Sequence, residues 1–217
     1  MSVPKLVAEY RKELRARDMP RGYSGLAHLA FTSSVPLAGI AYSLAHVHAP
    51  TWKELLVLPV TFLYANFVEW VAHKNPMHRR FKGLGLVFKR HTVEHHHFFT
   101  HESMAIESRR DFKIVLFPAF LIVFFFGTFA VPLGVLAAKL LTPNCGYLFV
   151  SVALAYFVNY EWFHLLYHLP PRSTLGRLAL ARRLREHHTR HHDPRLMSRY
   201  NFNITWPLCD WLFGTLK

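Results

Sequence analysis

Sixteen histidines stand in this 217-residue chain, and ten of them fall into four tight groups. The groups read HKNPMH (His73, His78), HTVEHH (His91, His95, His96), HLLYH (His164, His168) and HTRHH (His188, His191, His192). On a helix, residues three or four apart share a face. His91 with His95, His164 with His168, and His188 with His191 and His192 therefore each aim imidazoles at one spot. Neutral imidazole is a good ligand for iron, zinc and copper. Ten such donors exceed what one ion takes and suit two, at about five each or fewer where water fills a position. His97, His101 and His187 lie beside the pattern, and His97 and His187 are the additional donors it would admit. His28, His46 and His48 stand alone near the ends of apolar blocks and read as interfacial or packed side chains.

The elements that must bring these groups together are read from composition and charge. The chain is 52% hydrophobic yet carries a formal charge of +13, with a pI near 10.1. A strongly basic chain invites a nucleic-acid reading, but no DNA- or RNA-binding motif is present, so the charge reads as a face against anionic lipid headgroups. The two cysteines, Cys145 and Cys209, make no metal pattern. Four apolar stretches, near 26–47, 55–72, 114–138 and 147–168, are long enough to cross a bilayer. Pro118 and Pro132 are expected to kink or split the third. Of 26 Lys and Arg, all but Lys53 and Lys139 lie before the first stretch, between the second and third, or after the fourth. Positive charge marks the cytoplasmic side, which puts both termini, the 74–113 loop and all four histidine groups on one cytoplasmic face. The expected fold is all-α: one membrane-embedded domain over 1–217, a four-helix bundle with a histidine-rich helical cap (73–113 and 169–217) holding a dimetal site.

The order His-x4-His, His-x3-His-His, His-x3-His, His-x2-His-His resembles the fatty acid hydroxylase/sterol desaturase family of membrane di-iron oxidoreductases. The resemblance runs from about Glu69 to Gly214 and takes in the closing NFNITWPLCDWLFGT, similar to that family's WDxLFGT ending. It implies that His73, His78, His91, His95, His96, His164, His168, His188, His191 and His192 are the metal ligands, with His97 able to replace a neighbour. It also implies two iron ions, with zinc displacing them on purification, and dioxygen as co-substrate. The product is then a hydroxylated or desaturated lipid, such as a fatty acyl chain or sterol. Two segments, NFVEWVAHKNPMH and NYEWFHLLYH, share the order Asn, Glu, Trp, His and read as a weak internal repeat, each half supplying one ion's hemisphere.

Glu69 lies four residues before His73 and Glu161 three before His164, on the same helical faces, and Asp193 adjoins His192. A carboxylate that accepts the second imidazole N–H fixes a ligand's tautomer, so these three are the expected second-shell groups. The rival reading is a non-enzymatic metal-binding or metal-transport membrane protein, which calls for ionisable residues at mid-membrane; Glu69 and Glu161 instead sit near the cytoplasmic ends. Oxidising one C–H bond with dioxygen requires two further electrons. No dinucleotide fingerprint, four-cysteine set or haem-binding segment is present to deliver them. An external donor, a ferredoxin or small haem cytochrome with its reductase, is therefore expected on the basic face made by Arg79, Arg80, Lys82, Arg182, Arg183, Arg185 and Arg190.

Overall fold

The computed structural model describes residues 3–217. Among these the secondary structure is helical, and the one β-type pairing is an isolated bridge between Thr100 and Ser103. The chain forms two compact units: Met1–Leu26, Asn66–Leu116 and Trp162–Lys217 make one, and Ala27–Ala65 with Phe117–Glu161 make the other.

The second unit is the apolar one. Val60, Leu63, Tyr42, Phe120, Val123 and Leu136 are all exposed, apolar side chains of the kind that face lipid in a membrane helix. Glycine lets its helices close: a Cβ on Gly146 would come 2.6 Å from both the Gly134 carbonyl and Ala138, the small-residue contact by which apolar helices approach backbone to backbone. At one end, the Thr51 hydroxyl and Glu54 form a capping box, and Glu54 also accepts from the Thr142 hydroxyl at 2.5 Å. Asn144 bonds both the N–H and the carbonyl of His48. The two connections poor in Lys and Arg are thereby tied to each other.

Among the described residues, two stretches are long and apolar enough to cross a membrane by length and composition, Trp52–Met77 and Arg109–Leu140. The expected spans near 26–47 and 147–168 are also helical, as Gly25–Ala45 and Pro143–His168. The two prolines behave differently. At Pro118 the helix breaks outright, because the residue before proline is driven away from α geometry; Phe112–Val115 ends there and Ala119–Phe125 begins. Pro132 is absorbed without a break, since a π-helical turn, Phe126–Ala130, precedes it and leads directly into Val131–Leu140.

The first unit carries the histidines. It starts with a helix, Lys5–Asp18, whose inward face presents Tyr10, Arg11 and Leu14. Gly25 follows where a Cβ would collide with the Arg109 carbonyl at 1.8 Å, so only glycine fits. Its remaining helices include Ala179–His191 and Leu208–Leu212, the latter closing the chain.

Candidate metal centre

All ten patterned histidines are buried, within the first unit. They gather into two clusters. In one, a ring nitrogen from each of His73, His78, His91, His96 and His191 lies within 4.8 Å of every other; in the second the same holds for His95, His168, His188 and His192. His164 joins the second cluster, with its Nε2 3.1 Å from that of His95.

Helix type decides which histidine goes where. His73 opens a π-helical turn, His73–Met77, with His78 at its C-cap; Lys89–His95 is a second π-helical turn, with His96 at its C-cap. Pro76 has no N–H to give an α-helical bond, and a π-turn accommodates the gap with i→i+5 spacing. Residues five apart therefore meet: His91 and His96 Nε2 are 3.1 Å apart, and the rings of His73 and His78 stack at 5.1 Å. The second cluster keeps α spacing, as His188 and His192 Nε2 sit 3.0 Å apart, four residues apart on Ala179–His191 and its cap. The expected pairing of His91 with His95 thus fails, because the wider turn rotates His95 away toward the second cluster. His191 likewise parts from His188 and His192 and joins the first. The repeat's hemispheres are exchanged at those two positions, one histidine crossing each way.

The other ring nitrogen shows what the clusters can hold. Nδ1 of His73 donates to the Phe202 carbonyl, His95 to Ile114, His168 to Met104, His191 to Tyr200 and His192 to Phe99, at 2.5 to 3.2 Å. A neutral imidazole carries one N–H, so in these rings Nε2 is a bare lone pair. His95 and His192 Nε2 nevertheless face each other at 3.2 Å. Two acceptors cannot hydrogen-bond, and a proton is an unfavourable bridge there. Burial pushes the His95 imidazole down to about 3 and drives that of His192 well below its ordinary 6.5, with repulsion from neighbouring rings adding to both. A metal ion satisfies the geometry: a metal–nitrogen distance of about 2.0–2.1 Å places neighbouring nitrogens roughly 3 Å apart. The Nε2 separations of 2.8 to 3.2 Å across both clusters match it. Nδ1 of His96 and of His188 is buried with no hydrogen-bond partner.

Backbone carbonyls, rather than the expected carboxylates, thus receive the donated imidazole N–H groups. Glu69 acts one step further out. Its carboxylate accepts the N–H groups of Ile204 and Thr205 at 2.7 and 3.1 Å and the Thr205 hydroxyl at 2.6 Å, pinning the loop whose Phe202 carbonyl meets His73. Asp210 holds the same loop through Phe202 N and Asn203 N, at 3.0 and 2.7 Å, and takes the Thr215 hydroxyl at 2.6 Å. The closing NFNITWPLCDWLFGT is therefore a clamp on one histidine loop. Glu161 accepts the Phe117 N–H, and Asp193 pairs with Arg195; the carboxylates of both are committed elsewhere than a histidine ring. Backbone carbonyls leave no trace in a side-chain pattern, which is why these supports escaped the sequence reading.

The extra donors stand apart. His97 is exposed and bonds the Thr92 carbonyl, His187 bonds the Asn203 carbonyl, and His101 is exposed. Neither His97 nor His187 belongs to a cluster. Thr92, not singled out by the sequence, places its hydroxyl 3.2 Å from His78 Nδ1 while donating to the Met77 carbonyl.

Residues 58–215 match the family model of the fatty acid hydroxylases. No curated protein and no solved structure matches the chain.

Proposed function

The chain belongs to the fatty acid hydroxylase family, and we propose that it is an O2-dependent membrane oxidoreductase holding two iron ions that hydroxylates or desaturates a C–H bond of a lipid. The observation that carries this reading is the facing of bare lone pairs within buried, neutral histidine clusters. Iron bound there supplies the activation of dioxygen needed to attack an unactivated C–H bond. His73, His78, His91, His96 and His191 would hold one ion, and His95, His164, His168, His188 and His192 the other.

The chain's own part is positioning and exclusion. Donated Nδ1–H bonds fix the tautomer and direction of the His73, His95, His168, His191 and His192 rings, which strengthens a ligand. Burial keeps the rings neutral and keeps water from the metals. The apolar stretches Trp52–Met77 and Arg109–Leu140 would hold the centre at the bilayer boundary, so that a lipid extends one segment toward it without leaving the membrane. Electrons would arrive from an acidic ferredoxin or small haem cytochrome docking on the cytoplasmic basic face, with a rate that falls as salt screens the encounter.

The test combines metal analysis of the purified chain with lipid profiling of cells with and without it. About two iron ions per chain and a lost oxidised lipid support the proposal. Bound metal with an unchanged lipid profile favours a metal-binding or transport protein instead.

A further inference from the structure

We propose that Arg11, which lies outside the 58–215 family match, is a positioning residue that holds the second histidine cluster selectively. The inference rests on both clusters being metal sites.

Arg11 is fully buried, an expensive place for a charge unless its donors are used. Its one carboxylate partner among the described residues, Glu107, at 2.7 Å, has a side chain that is 42% exposed. The rest of the guanidinium is spent on one backbone segment: Nε donates to the Phe98 carbonyl at 2.8 Å, and the two terminal nitrogens to Ser103 at 2.6 Å and Ala105 at 3.3 Å. The plane stands 4.9 Å from the Phe98 ring centre and 5.5 Å from that of Phe99. Arg15 braces the far end of the segment, gripping Asp111 with a bidentate pair at 2.8 and 2.9 Å. The planar fork is what lets one side chain tie three points of a bend; an ammonium would not.

The same segment supports the second cluster. The Phe99 carbonyl takes the His192 N–H at 2.5 Å, and the Met104 carbonyl takes that of His168 at 2.7 Å. The Ile106 N–H returns a bond to the His168 carbonyl at 2.8 Å. Each carbonyl adjoins a residue whose own carbonyl Arg11 holds. The first cluster leans instead on Phe202 and Tyr200, in the loop fastened by Asp210 and Glu69. The two clusters therefore hang from two different backbone loops with two different fasteners. Loss of Arg11 frees the supports of His168 and His192 and leaves those of His73 and His191 in place.

The experiment follows metal release from the full-length, zinc-loaded protein in detergent to an excess chelator. Wild type is expected to hold two ions per chain. In Arg11→Met one ion per chain leaves roughly 10–100-fold faster, the scale of outer-shell losses, while the other keeps its wild-type rate. Arg11→Lys falls between, Asp210→Asn accelerates the other ion, and the Arg11→Met, Asp210→Asn double variant accelerates both. Equal acceleration of both ions in Arg11→Met, or of neither, overturns the proposal. Should Arg11→Met fail to fold, Arg11→Lys is judged by the same criterion. Wild-type protein that binds no metal overturns the metal-site reading beneath it, a separate result from the loss of selectivity.

Discussion

Replacing Glu69 by Gln keeps the shape of the side chain and removes its charge. Four buried bonds reach its oxygens, and the three shortest carry the effect: Ile204 N–H at 2.7 Å, Thr205 N–H at 3.1 Å and the Thr205 hydroxyl at 2.6 Å, with the Asn203 side-chain amide more distant at 3.4 Å. Hydrogen bonds to a charged acceptor contribute about 1.5–3 kcal/mol and neutral ones about 0.5–1.5 kcal/mol, so each bond weakens by roughly 1 kcal/mol and the set by about 3 kcal/mol. For a chain of this size each kcal/mol moves the melting temperature by about 2–4 °C, which predicts a fall of roughly 6–12 °C. The loosened loop carries the Phe202 carbonyl that fixes His73, so metal retention in the first cluster should weaken by about 10–100-fold as well. Thermal unfolding in detergent, followed by tryptophan fluorescence, reads the first effect, and chelator competition reads the second. A variant melting within about 2 °C of wild type and releasing metal at the wild-type rate would refute the linkage from Glu69 through the loop to His73.

Other substitutions and conditions test the remaining steps. His95→Ala and His168→Ala should abolish lipid oxidation, whereas His46→Ala, whose ring bonds the Tyr42 carbonyl and packs on Tyr42 and Tyr147, should keep it; an active His168→Ala enzyme removes the second metal site. The metal-free protein should lose stability as pH falls from about 6.5. Burial lowers His78 to about 2 and His95 to about 3, so the unfolded chain binds more protons below 6.5 and each such ring costs up to about 1.4 kcal/mol per pH unit. A melting temperature flat between pH 7 and 4.5 counts against neutral buried rings. Reporter fusions after Ala49 and after Asn144 should both read as outside the cytoplasm, and a 74–113 loop found outside would separate the histidines from the expected donor side. With a reductase and its ferredoxin or cytochrome, turnover should fall as salt rises; full activity on NADPH and oxygen alone would remove the external donor.

What the sequence disclosed was chemical type, and what it withheld was backbone geometry. Imidazoles announce themselves by spacing, so the four histidine groups and their ten members could be picked out without coordinates. Their distribution between two clusters could not, because it turns on π-helical turns at His73–Met77 and Lys89–His95. Spacing rules written for α-helices place His95 beside His91, and one extra residue per turn sends it elsewhere. Pro76 was the available signal for the first turn; nothing comparable marks the second. Glu69 was read as touching its histidine because both lie on one helical face, yet its oxygens are claimed by a loop 134 to 136 residues away in sequence. Arg11 was counted only as one more positive charge at the amino terminus. Its position with Tyr10 and Leu14 on one helical face hinted at burial, but a charged residue on such a face reads first as solvated.

Both clusters consist of histidine alone, and the carboxylates nearest to them in sequence are engaged with backbone or arginine. Imidazole lends a lone pair and no charge. Two divalent ions in such a shell would keep all four of their positive charges inside a buried site, where opposite charge is at a premium. Any small anion able to reach an open position would be drawn there, and oxidation to the ferric state, which adds still more charge, would be resisted. Iron held in such an all-imidazole shell would therefore be harder to oxidise, and more open to small anions, than iron in a carboxylate-rich site that brings its own negative charge.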